Sequence, residues 1–244
     1  PIQHNIHIVY FFIDFISNYI YIYMEFKTPI IITTILCIVI TLVNYFKHRL
    51  LYHPDKTHFV PKPDPIKEIY IKNRNGHRLC AWYYSAGEDT KVVLCSHGNA
   101  GNITNRITFM QQLMSHNISF LFFDYRGFGK SKGYSTIEST FYDTEDCYKF
   151  LMNDLHYSQD KIIPVGESIG SYPATKLAVK YNLPKLIILY GIHSLAMTVK
   201  KMMPLIYPLV YIFIYNDLKV GDLLKTYNGQ ALILHSKTDK IVNY

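Results

Sequence analysis

The sequence has no block of lysine or arginine, and no aromatic platform interleaved with basic residues, although its formal charge is +7. Nucleic-acid binding is therefore not indicated, and the charge reads as ordinary solubility with a contribution at a membrane surface. The four cysteines, Cys37, Cys80, Cys95 and Cys147, lie in apolar or periodic stretches without close pairing. That pattern points to buried free thiols and excludes a disulfide framework or a zinc site from the reading. There is no internal repeat. With 18 % charged residues the chain does not look disordered, and 244 residues suffice for one sizeable α/β domain with an appendage. The wealth of Ile, Tyr, Asn and Lys reads as AT-rich coding and carries no functional inference.

Charge is also missing from residues 28–46, where Ile, Leu and Val dominate. The stretch is close to the roughly 20 residues that cross the hydrocarbon core as a helix. It reads as a single-pass transmembrane anchor: a core helix would show a polar face, and no small-residue cleavage site follows as in a signal peptide. Lys47 and Arg49 flank its end, against Glu25 and Lys27 before it, which tilts the following domain towards the cytoplasm. The sequons at Asn102 and Asn117 would suit the opposite orientation. Residues 1–27 form an N-terminal extension. The first methionine is Met24, and the expectation is that Met24 is the native start; the alternative is a second membrane segment in which Asp14 and Asn18 would be costly. Residues 47–65, with Pro54, Pro61, Pro63 and Pro65, are expected to be a stiff linker. Residues 66–244 form the globular domain.

Within that domain, residues 66–72 and 78–84 read as strands joined by a turn at Asn75-Gly76. Short apolar runs at 91–96, 118–123, 161–165, 186–190 and 231–234 predict further strands. Between them, Ile103, Ile107, Met110 and Met114 share a helical face behind Asn102 as a cap. Ser135 and Glu138 form a capping box ahead of Ile137, Phe141, Thr144, Tyr148 and Leu151. Strands alternating with helices of this length imply a mostly parallel sheet with helices on both faces.

The chemistry-bearing residues fall at strand ends. In Gly166-Glu167-Ser168-Ile169-Gly170, between a strand and a helix, two glycines would relieve a sharp turn and present Ser168 as a nucleophile. Ser96-His97-Gly98-Asn99-Ala100-Gly101 follows another strand. The amides of Asn99 and Ile169 are the candidate donors of an oxyanion hole. Asp124-Tyr125-Arg126-Gly127-Phe128-Gly129-Lys130-Ser131 suits a bracing role. Asp239, after the last strand, stands in the chain order of an acid that orients a histidine, although an aspartate in a loop is often a turn residue.

Taken together with the anchor and Leu50-Leu51-Tyr52-His53-Pro54, these motifs closely resemble the membrane-anchored, bud-emergence-protein-like (Bem-type) branch of the α/β-hydrolases. Pro173 looks more like the related protein-depalmitoylating hydrolases, and many relatives have glycine where this chain has Ser171. The resemblance implies a serine hydrolase with Ser168 as nucleophile, Asp239 as triad acid, oxyanion amides on Asn99 and Ile169, and no metal or organic cofactor. It also implies a histidine beyond the acid, yet no histidine follows His235 and the sequence stops at Tyr244. The expectation is that the sequence is C-terminally truncated, with little turnover as written. His97 and His235 read as structural and His193 as a remote substitute. The apolar stretch 191–216, with Met202, Met203, Leu205, Ile206, Leu209, Val210, Ile212 and Phe213, lies where the resemblance puts a lid. It lines an acyl pocket on that reading and packs a core on the other. The function expected is cleavage of an acyl ester or thioester in a small molecule, lipid or acylated protein at a membrane. A peptidase of the same fold and a catalytically inactive, membrane-tethered binding or scaffold protein are the alternatives.

Overall fold

A computed structural model of the chain describes residues 2–239 and Val242. The chain divides into two compact units, residues 1–47 and 48–244. The first is helical: α1 (Ile2–Leu51) begins in it, takes in Pro29, and reaches beyond the uncharged stretch on both sides. From Asp14 to Leu51 this helix is long and apolar enough to cross a membrane. Thr34 and Thr41 turn their hydroxyls back to the carbonyls of Ile30 and Cys37, 2.8 Å each, so neither needs water as a partner.

The second unit is built on a seven-stranded sheet. Its strands are β1 (Lys67–Lys72), β2 (Arg78–Tyr84), β3 (Val92–Ser96), β4 (Ser119–Phe123), β5 (Ile162–Glu167), β6 (Lys185–Leu189) and β7 (Gln230–Leu234). They lie in the order β1-β2-β4-β3-β5-β6-β7. The pairs β1–β2 and β2–β4 are antiparallel and the remaining neighbours are parallel, as the alternation of apolar runs and helical patterns predicts. β3 and β4 are buried at every residue, which is why they read as continuous apolar runs. Because side chains alternate along a strand, Leu79 and Ala81 of β2 enter one core while Cys80 and Trp82 enter another. The first core is closed by α3 (Ile137–Asn153) and α4 (Ser171–Lys180), the second by α2 (Ile107–Ser115). Three shorter helices, α5 (Leu195–Met202), α6 (Tyr207–Ile214) and α7 (Val220–Lys225), follow β6. All four cysteines are free; Cys80, Cys95 and Cys147 are buried as expected, whereas Cys37 is exposed on α1.

Two local readings change. The cap of α3 lies one residue later than Ser135: Thr136 accepts from the Ser139 amide and the Ser139 hydroxyl from the Thr136 amide. Ser135 instead donates to the Arg126 carbonyl, 2.6 Å, and Glu138 accepts from the Tyr142 hydroxyl. The segment after α1, expected as a linker, is tied across the loops at the strand ends. His53–Pro54 pairs in parallel with Ala100–Gly101, and the Asp55 carbonyl accepts from the Gly129 amide, 2.8 Å. Asn102 donates to the Asp55 and Thr57 carbonyls, while His58 meets Asp124 at 3.0 Å. Tyr52 is buried against Phe128.

The loop after β4 is held to α3 by a buried ion pair. Arg126 donates to Asp143 through Nε (3.0 and 3.1 Å) and Nη2 (2.6 Å), and Asn73 donates to the same carboxylate. Replacing Asp143→Ala strands this guanidinium without a counter-charge, so urea unfolding should register a loss of about 3–5 kcal/mol.

Candidate active site

β3 has β4 on one side and β5 on the other, so successive crossovers leave it in opposite directions and a crevice opens at its carboxyl end. The loop after β3 and the turn after β5 meet there. Ser168 has φ +53°, a left-handed conformation uncommon outside glycine. It opens a short 3-10 turn, Ser168–Gly170, that runs into α4. The glycines on either side answer to contact distance: a Cβ on Gly166 would lie 2.5 Å from the Cα of Ser171, and one on Gly170 would lie 2.0 Å from the carbonyl oxygen of Ser96. Ser171 is accommodated, and its hydroxyl donates to the Ser168 carbonyl at 2.5 Å. Pro173 sits in the first turn of α4, where its missing N–H costs no helical bond.

On the opposite side of the crevice, Asn99 is half-buried and its carbonyl accepts from the His53 amide, 2.8 Å. Ile169, the residue after Ser168, is buried. His97 is sealed beneath the loop with its ring 4.3 Å from that of Tyr125 and 5.0 Å from that of Phe128. Its Nδ1 lies 2.8 Å from the Gly98 carbonyl, and since a carbonyl only accepts, Nδ1 is assigned the proton. Burial, with the nearby Arg106 charge, pushes the imidazole down to about 3 against the opposing Gly98 bond. This histidine is neutral at physiological pH and has a structural role.

Arg106 and Glu167 drew no attention in the sequence, and the structure joins them. Arg106 Nε and Nη2 donate to the two oxygens of Glu167 at 2.9 and 3.0 Å, and Nη1 donates to the carbonyls of Ala100 and Asn102, 3.0 Å each. No sequence spacing signals this contact, because Glu167 ends β5 while Arg106 lies in the connection after β3.

Asp124 is fully buried, with one oxygen taking the Ile103 amide and the other His58. Burial raises its carboxyl above the usual range, against the His58 and Ile103 bonds. His58, Cys80 and Asp124 bring ligand atoms within 4.8 Å of one another. The His58–Asp124 hydrogen bond already joins that pair and the other Asp124 oxygen takes the Ile103 amide, so the contacts present are those of a brace.

Asp239 lies in the loop after β7. Its Oδ1 accepts from the Val242 amide at 2.9 Å, its Oδ2 is 3.5 Å from His235 Nε2, and Lys201 donates to its carbonyl. The register aligns Glu167 with Leu189 and Leu189 with Leu234. Ser168, Tyr190 and His235 therefore begin their loops at one level, with Ser168 two strand spacings, roughly 10 Å, from His235. Among the described residues none hydrogen-bonds to the Ser168 hydroxyl. His193 is exposed and its carbonyl accepts from the Gly221 amide on α7.

A twisted, mostly parallel sheet with a serine elbow after its fifth strand and a glycine loop after its third defines an α/β-hydrolase. The sequence profile of the serine aminopeptidase S33 family matches residues 87–214, and the chain belongs to that family. Protein R595 of Acanthamoeba polyphaga mimivirus is 31% identical over 153 residues, 57% of this chain and 52% of that protein. The chain spans about half the length of the curated relatives it matches. An esterase of Pyrococcus furiosus superposes with a TM-score of 0.63 at 19% identity, covering 79% of each chain. An alpha-beta hydrolase of Vibrio vulnificus gives 0.65 at 19% identity over 73% of this chain and 66% of that one.

His97 makes stability depend on pH in a definite direction. Unfolded, it titrates near 6.5; folded, near 3. As pH falls below 6.5 the unfolded state alone takes the proton, so this residue removes about 1.4 kcal/mol of stability per pH unit until the folded pKa is reached. Between pH 6 and pH 4, unfolding of His97→Gln should show a shallower pH dependence, by about one proton.

Proposed function

We propose that the chain is a membrane-anchored serine hydrolase of the Bem-type branch, cleaving an acyl ester or thioester in a small molecule, lipid or acylated protein. The observation that carries the reading is Ser168, held at positive φ on the turn between β5 and α4. In this reading Ser168 Oγ attacks the acyl carbonyl carbon and its proton passes to a histidine oriented by Asp239. The carbonyl oxygen, now negative, takes hydrogen bonds from the amides of Asn99 and Ile169. The bond to the leaving oxygen or sulfur breaks, that atom takes the proton, and water then releases the acyl group from Ser168 as a carboxylic acid. The resemblance puts the histidine beyond Asp239; the placement of Asp239 at the β7 end is what supports its role.

Preference for an acyl substrate rests on α5, α6 and their connection. Leu205, Leu209 and Ile212 are 91%, 76% and 70% exposed, which argues against core packing for these side chains and for an exposed apolar patch; the resemblance is what puts that patch over the site as a lid. Val210 and Phe213 pack against the core from the same element. The span of α1 supports the anchor, and Lys47 and Arg49 at its end support a cytoplasmic hydrolase domain.

A fluorophosphonate probe tests the reading on protein expressed from the complete gene. Labelling is expected on Ser168 and should vanish in Ser168→Ala, together with a fall in ester turnover of roughly 10⁴-fold or more. If folded protein stays unlabelled, the tethered binding protein replaces the enzyme.

A further inference from the structure

We propose that Arg106 is a positioning residue for the oxyanion hole, clamping the turn that carries Ile169 to the loop that carries Asn99. The inference rests on the serine-hydrolase reading above and concerns how its two donor amides are held. Each amide belongs to a separate connection, one after β3 and one after β5. Hydrogen bonds between parallel strands stop at the strand ends, with Ser96 paired to Gly166 as the last register of β3 and β5. Beyond that point the Gly170 backbone packs on the Ser96 and His97 carbonyls, and a side chain must bridge the gap that remains further along the loop.

Arg106 spans it. Its planar guanidinium grips Glu167, the residue immediately before Ser168, with two parallel bonds of 2.9 and 3.0 Å. The remaining nitrogen holds the carbonyls of Ala100 and Asn102, one and three residues after Asn99, at 3.0 Å. Gly98, just before Asn99, lies flat on the pair: a Cβ there would be 3.3 Å from Glu167 Oε1 and 3.4 Å from Arg106 Nη2. The loop thus wraps an ion pair whose two side chains are 11% and 31% exposed. Arg106 is itself seated by the 3-10 turn Ile103–Arg106, capped by Asn102. Arginine suits the task because its donors are fixed in one plane; a lysine ammonium offers a mobile point charge with fewer directed bonds.

The consequence is kinetic. Oxyanion donors act over about 2.7–3.1 Å, and loss of one costs roughly 10²–10³ in kcat. A loosened pair should fall short of that, so Arg106→Met should slow turnover about 10–100-fold. The loss should be in kcat for p-nitrophenyl butyrate with KM little changed, since the ground-state carbonyl gains little from the hole.

The test measures the second-order rate of Ser168 labelling by a fluorophosphonate, kcat and KM for p-nitrophenyl butyrate, and the thermal midpoint. It uses the unaltered protein, Arg106→Met, Arg106→Lys and Glu167→Gln. Slower labelling and lower kcat in Arg106→Met, partly restored in Arg106→Lys, support the clamp. If Arg106→Met does not fold, the isosteric Glu167→Gln decides, and reduced kcat at unchanged KM is the supporting result. Unaltered labelling and kcat in a folded variant overturn the clamp while leaving the hydrolase reading intact. Absence of labelling in the unaltered protein defeats that reading and the clamp with it.

Discussion

The backbone of Gly170 lies so close to the end of β3 that a single methyl group would fall 2.0 Å from the Ser96 carbonyl. Much of the site follows from that approach. It draws the start of α4 down onto the neighbouring strand, directly after Ser168 at its positive φ. The sheet contributes the rest: β3 lies between β4 and β5, so the two connections diverge and the crevice stays open.

The loops bury Ile103, Tyr125 and Phe128, but apolar packing alone does not fix a loop's backbone. They are fixed by buried polar groups that are paired almost one for one. Asp124 divides its oxygens between a backbone amide and His58, and Ser131 bridges the Asp124 carbonyl and the Cys80 amide. Arg126 and Asp143 satisfy each other and draw in Asn73. Buried partners of this kind specify one arrangement, since each slip strands a polar group away from water. Burial holds His97 neutral: a charged imidazole there would face Tyr125, Phe128 and the Arg106 charge.

The strands were legible because burial on both faces writes itself as short apolar runs, and β2 matches its expected limits of 78 and 84. The serine turn was legible because only glycine fits beside it. What escaped the sequence is mainly long-range. The α3 cap moved by one residue because Ser135 was needed by the Arg126 carbonyl, a demand that local pattern does not carry. Arg106 and Glu167 are sixty-one positions apart, and neither motif names the other. Prolines at 54, 61, 63 and 65 suggested a spacer, yet an extended chain that cannot form a helix is equally fit to be laid along a loop. The geometry by which a base would reach Ser168 was not legible either, since it depends on where the chain around Asp239 is carried by packing.

That extended segment has a consequence for how the two units can be separated. The His53 amide binds the carbonyl of Asn99, and Tyr52 is part of the core. A protease cutting within α1 would shed the globular unit with its loops intact. A cut only slightly later, between Tyr52 and His58, would release a domain of nearly the same size whose glycine loop had lost its outer neighbour. A released form would therefore keep or lose the seating of its glycine loop according to which side of Tyr52 was cut.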